Sequence, residues 1–192
     1  MQRRAFLDSL ASAASGQIAK PGGRRPNILF LLSDDQRADL LGVMGHPILR
    51  TPNIDLLAAE GVLFRNNFCT TAICCTSRAS LLTGLYEKSH GISDFATPLR
   101  PEILALSYPA LLRQAGYKTG FVGKYGVGGN AAPRADFDVS FGDPGPERPG
   151  QTRQIARQAI EFLQQAQEAE PFCLSVSFRA PHARDNDAKQ YL

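Results

Sequence analysis

Apolar residues along this chain fall in two patterns, unbroken runs and faces that recur every three or four positions, and the two alternate. The run Ile28-Leu29-Phe30-Leu31-Leu32, entered from Pro26-Asn27 and stopped by Ser33-Asp34-Asp35, predicts a fully buried parallel strand that delivers two carboxylates to its C-terminal edge. Thr51 to Gly61 predicts a short helix, with Pro52 near its start and Gly61 just past its end. From Ser107 onward, Ala110, Leu111, Leu112 and Ala115 make one helical face, Gly116 closes it, and Tyr117 to Val122 predicts a strand. A longer amphipathic helix is expected from Thr152 to Ala169, where Ile155, Ala159, Phe162, Leu163 and Ala166 recur at helical spacing. A strand from Phe172 to Phe178 follows it. This alternation predicts an α/β fold on a mainly parallel sheet flanked by helices. Gly142 to Gly150, rich in Pro and Gly, predicts a loop.

Residues able to do chemistry sit at the ends of these elements. Cys74-Cys75-Thr76-Ser77-Arg78, followed by Leu82-Thr83-Gly84, puts a thiol, a hydroxyl pair and a guanidinium at a helix start. The unpaired N–H groups of a first turn and the planar fork of Arg78 suit an oxyanion. Adjacent carboxylates such as Asp34 and Asp35 repel, so holding them together calls for a hard cation, and oxygen ligation favours calcium or magnesium over zinc. Cys69 and Cys74 have no second Cys or His pair to close a zinc tetrahedron. Lys124 follows one strand, and Arg179-Ala180-Pro181-His182 ends another. Taken singly, each admits a plainer reading: Cys74-Cys75 as core packing, Asp34-Asp35 as a solvated strand end, Lys124 as a solvated lysine and His182 as a polar loop residue.

The segment from Cys74 to Gly84 resembles the sulfatase signature C-x-P-S-R-x-x-x-L-T-G, with Thr76 where proline is usual. Asp34-Asp35 resembles the family's metal-binding strand end, Thr51 to Gly61 matches its next helix, and Gly123-Lys124-Tyr125-Gly126 is similar to G-K-W-H. Ala180-Pro181-His182-Ala183-Arg184 is similar to the family's P-H-x-P, with Arg184 at the second proline. The matches run in order from Pro26 to His182.

The resemblance implies an alkaline-phosphatase-like fold and hydrolysis of a sulfate monoester. Cys74 would be oxidised to formylglycine by a formylglycine-generating enzyme. Asp34, Asp35 and residue 74 would hold Ca2+, with Mg2+ as the alternative. The hydrated aldehyde attacks sulfur, Arg78 orients it, Lys124 and His182 contact the sulfate, His182 protonates the leaving oxygen, and the second hydroxyl expels sulfate. Gly126 stands where the family has a histidine beside the nucleophile, which leaves water or a group elsewhere to accept that proton. The resemblance also implies that the remaining metal ligands and a second lysine lie beyond Leu192, since Asp185, Asn186 and Asp187 follow His182 too closely and read as an exposed turn. Residues 26–192 are therefore expected to be the amino-terminal part of a larger catalytic domain, an incomplete sheet that leaves apolar surface exposed. The alternatives are a non-catalytic fragment or degenerate paralogue, which Gly126 favours, and a phosphonate or phosphate ester hydrolase of the same superfamily.

Charge and composition narrow the partners. The 192 residues are 43% hydrophobic and carry a net charge of +3. Arg3, Arg4, Lys20, Arg24 and Arg25 against Asp8 put +4 before Pro26, so the remainder carries the difference, −1. A body without a basic face does not track a phosphate backbone, which argues against nucleic acid. Gln2-Arg3-Arg4-Ala5-Phe6-Leu7 resembles a twin-arginine export signal, with Ala11-Ser12-Ala13 as a cleavage site and residues up to 25 as linker, which predicts a periplasmic or exported protein. A disordered tail on a cytoplasmic protein is the alternative. No run is long enough to span a membrane. Sulfated carbohydrate is the substrate class such export suggests. Four cysteines make no disulfide framework at this length, and neither a Cys69–Cys75 nor a vicinal bond has support in the sequence.

Overall fold

The computed structural model describes residues 25–129, 137–145, 150–166 and 170–182. Strands β1 (Ile28–Leu32), β2 (Lys118–Gly123), β3 (Val139–Phe141) and β4 (Phe172–Ser177) form one sheet in the order β1-β4-β2-β3, with each neighbouring pair parallel. Between β1 and β2 run two 3-10 turns and helices α1 (Pro52–Glu60), α2 (Cys74–Thr83), α3 (Glu87–His90), α4 (Pro101–Leu104) and α5 (Tyr108–Gln114). Helix α6 (Gln151–Gln165) connects β3 to β4.

Helix boundaries follow local chemistry. Pro52 opens α1, Gly84 ends α2 in the left-handed region (φ 70°), and Gly116 does the same after α5 (φ 78°). Arg25 donates to the carbonyls of Ala115 and Gly116, binding the chain entering β1 to the end of α5. The expected helix to Ala169 stops at Gln165, and residues 167–169 lie outside the described ones.

The strands' two-residue period sorts their side chains onto two faces. Val122, Leu174 and Val176 pack with Ile155 and Phe162 of α6 on one face. Phe121 packs on the other face with Cys75, Ala79 and Leu82 of α2 and with Ile92, Tyr125 and Phe137. Each fully buried large apolar side chain contributes about 1.5–3 kcal/mol over its exposed state. On the α2 face β4 presents the buried Ser175 and Ser177, and the Ser175 hydroxyl lies 2.6 Å from the Tyr108 hydroxyl.

The expectation of a fully buried first strand is corrected. β1 alternates between half-buried and exposed positions, with Leu29 and Leu31 49% and 51% exposed. Among the described residues it sits at the sheet edge, and α6 packs over β2 and β4 instead. Phe64 and Phe68, 76% and 81% exposed, add to the uncovered apolar surface. Among the described residues no helix is long and apolar enough to cross a membrane.

Candidate active site

The tail of β4 laces the strand ends together. The Phe178 N–H donates to the Leu32 carbonyl (2.8 Å), the Lys124 N–H to the Ser177 carbonyl (3.0 Å), and the Asp34 N–H to the Ala180 carbonyl (3.2 Å). These bonds set Asp34, Lys124 and His182 side by side at the C-terminal edge, where parallel sheets place ligands. Gly123 allows the contact, since at φ 95° a Cβ there would come 2.0 Å from the Ser177 carbonyl oxygen. Consecutive side chains of an extended strand point to opposite faces, yet Asp34 and Asp35 converge. Asp35 adopts the left-handed conformation (φ 58°), which Asp tolerates and which breaks the alternation.

Helix α2 starts at Cys74, with no capping side chain on Ile73. One turn on, Arg78 reaches into the strand ends. Its Nη1 donates to the Lys124 carbonyl (2.6 Å) and to the Ser177 hydroxyl, and its Nη2 to Asp34 Oδ2 (3.3 Å). Lys124 Nζ donates to the same Asp34 oxygen. All three side chains are about 95% buried, with Asp34 6%, Arg78 5% and Lys124 5% exposed. Burial alone would raise the Asp34 pKa. The hydrogen bond from Lys124 and the charges of Arg78 and Lys124 outweigh it, so Asp34 stays below the usual aspartate value and ionised. Cys74 Sγ lies 3.5 Å from Asp34 Oδ1. Burial, then the Asp34 charge, pushes the thiol pKa up, which makes the unmodified side chain a weak nucleophile.

Asp34, Asp35, Cys74 and His182 each offer a ligand atom, all within 4.8 Å of one another. His182 Nε2 stands 3.6 Å from Asp35 Oδ2. Two carboxylates and an imidazole fit a divalent cation, while the sulfur is a softer donor than calcium prefers. A cleft of about 700 Å³ opens over this cluster, bordered by the Ser33–Gln36 and Asn67–Thr70 segments and by Cys74, Ser77 and Arg78 of α2. All four thiols are free, so no Cys69–Cys75 bond forms. Thr76, in the proline position of the signature, is buried and donates its hydroxyl to the Ile92 carbonyl (3.0 Å). Gly126, in the histidine position, takes φ 71°, and a Cβ there would sit 3.1 Å from Arg78 Cδ.

Sequence reasoning brought forward Asp34, Asp35, Cys74, Arg78, Lys124 and His182, and the structure gathers all six. It did not single out Ser177, which binds Arg78, or the pair Arg179–Asp143. Two serines at alternate positions of an otherwise apolar strand, and an arginine just after it, were the available signals. The twin-arginine segment, Arg184 and Asp185 to Asp187 lie outside the described residues.

Carboxylates, buried cations and a thiol at a helix start thus share one edge of a parallel sheet. The sulfatase family model matches residues 26–192, and this chain belongs to that family. It is 32% identical over 200 residues to the N-acetylglucosamine-6-O-sulfatase of Bacteroides thetaiotaomicron, covering 96% of this chain and 35% of that one. Human N-sulphoglucosamine sulphohydrolase is 34% identical over 178 residues, covering 88% and 34%. A solved structure of a protein in complex with its substrate D-glucosamine-2-N,6-O-disulfate superposes with a TM-score of 0.69 at 29% identity, over 83% of this chain and 35% of that one. The phosphonate monoester hydrolase of Agrobacterium radiobacter, at 23% identity and TM-score 0.71 over 82% and 41%, shares the fold. The chain spans about a third of the length of the curated relatives named here.

Proposed function

We propose that residues 26–192 are the amino-terminal part of the catalytic domain of an exported sulfatase that cleaves a sulfate monoester of a carbohydrate. The observation that carries this is the convergence of Asp34, Asp35, Cys74 and His182 within 4.8 Å, backed by Arg78 and Lys124. The names of its relatives and the glucosamine disulfate of the solved complex support a sulfated sugar as substrate.

Asp34, Asp35 and residue 74 would hold the cation, Ca2+ before Mg2+, because oxidation of Cys74 by a formylglycine-generating enzyme replaces its soft sulfur with oxygen. A cation there supplies Lewis-acid stabilisation of charge on the sulfate oxygens. Arg78 would orient Asp34 rather than the ester, Lys124 would offer its charge to the sulfate, and His182, beside Asp35, would give a proton to the departing alcohol oxygen. The hydrate of the oxidised residue supplies the hydroxyl that Cys74, held as a thiol, does not.

Peptide mass spectrometry across Asn67 to Ala79, after co-expression with a formylglycine-generating enzyme, tests this reading. Loss of mass at Cys74 supports it. An intact thiol transfers the assignment to a non-catalytic relative, the reading that Gly126 favours.

A further inference from the structure

Asp143 and Arg179 form a bidentate ion pair outside the cluster just described. Arg179 Nε donates to Asp143 Oδ1 (2.9 Å) and Oδ2 (3.1 Å), and Nη2 also donates to Oδ2. The side chains are only 11% and 3% exposed. Asp143 lies two residues past β3, Arg179 two past β4, and β2 runs between those strands, so the pair bridges the C-terminal edge of the sheet over the end of β2.

Buried ion pairs roughly break even in stability, because desolvation cancels most of the attraction, and a large net contribution to folding is not expected here. Their geometry is what they fix. The backbone of Arg179 and Ala180 holds both ends of the cluster: the Arg179 carbonyl accepts the His182 N–H (2.9 Å), and the Ala180 carbonyl accepts the Asp34 N–H (3.2 Å). One cluster residue follows β1 and the other follows β4, and both hang from this two-residue segment. Apart from its backbone bonds, the segment is anchored by the Arg179 guanidinium. Asp143 is itself braced by the Gly145 N–H, which donates to its Oδ1 (3.0 Å).

We propose that Arg179 and Asp143 are positioning residues that set Asp34, a ligand of the proposed cation, and His182, the proposed proton donor, beside one another. The part concerning the cation rests on the proposed function. The anchoring of the two amides does not.

The test compares the full chain with Asp143→Asn, Arg179→Lys and the apolar pair Asp143→Leu/Arg179→Met, which avoids a lone buried charge if Asp143→Asn fails to fold. Native-state hydrogen exchange is read at the amides of Asp34 and His182 against amides inside β2 and β4. Expected is exchange about tenfold faster at the first two with the strand amides little changed, the signature of local opening. Calcium chloride titration by calorimetry should show binding about tenfold weaker, the lower end of what losing an outer partner of a metal ligand costs, with Arg179→Lys intermediate. Uniformly faster exchange at all amides would make the pair a general stabiliser and overturn the proposal. Selective exchange with unchanged calcium affinity would overturn its link to the cation. Absence of calcium binding in the parent chain would overturn the link to the cation for this chain and leave the anchoring of the two amides to stand or fall on exchange.

Discussion

Asp34 and Asp35 are neighbours in sequence and opposites in situation. Asp34 is 6% exposed and accepts from two buried cations, whereas the Asp35 side chain is 56% exposed and faces His182 at 3.6 Å. The inner half of the candidate site, Asp34 with Arg78 and Lys124, is assembled by folding itself, since its charges are compensated only when β1, α2 and β2 meet. The outer half, Asp35 with His182, is the more exposed one, with side chains 56% and 36% exposed. Asp34 and Lys124 thus carry a structural role beside any ligand role, whereas Asp35 and His182 do not carry it to the same degree, and the two halves should answer mutation and pH differently.

The largest expected effect is in the inner half. Arg78→Met leaves Asp34 with one cation and Ser177 and the Lys124 carbonyl without their shared donor, and should destabilise the fold by about 3–5 kcal/mol, the range for breaking a buried pair. Urea unfolding of the folded chain measures this, and a loss under about 1 kcal/mol would show the inner half to be as dispensable as the outer.

An intermediate effect is expected from pH on Tyr108 and Cys173. Burial raises Tyr108 from 10.0 to about 12 against the opposing effect of its hydrogen bond with Ser175, and burial raises Cys173 from 9.0 to about 11. Between the ordinary and raised values the folded chain keeps protons that the unfolded chain has lost. Their contribution is therefore full below pH 9 and disappears as pH rises from 9 toward 12. Urea midpoints that fall steadily over this alkaline range, with the fall reduced in Tyr108→Phe, would agree. A flat profile would place both groups in contact with water.

The smallest stability effect belongs to the outer half. Asp35→Asn should change stability by no more than about 0.5 kcal/mol, as expected for an exposed charge away from the core. Where calcium chloride raises the melting temperature of the parent chain, as the proposed cation site predicts, the same variant should lose that rise. A change in stability as large as that of Arg78→Met would erase the distinction between the halves.

Much of the fold was readable because it rests on local patterns. Pro52 and Gly61 bracket a helix, Gly84 and Gly116 end others, and the apolar runs at β1, β2 and β4 mark a parallel sheet whose edge carries chemistry. Cys74 at a helix start, with Arg78 one turn on, was equally local. The sequence did not disclose that Arg78 joins Asp34, 44 residues away, and Ser177, 99 residues away. Nor did it disclose that Asp143 clamps Arg179, or that β1 lies at an edge with Leu29 and Leu31 exposed. Hydrophobic periodicity reports which residues want to leave water, and capping reports where a helix stops. Which buried charge meets which, and which strand a helix covers, depends on the order in which strands pair, and only the assembled sheet decides that.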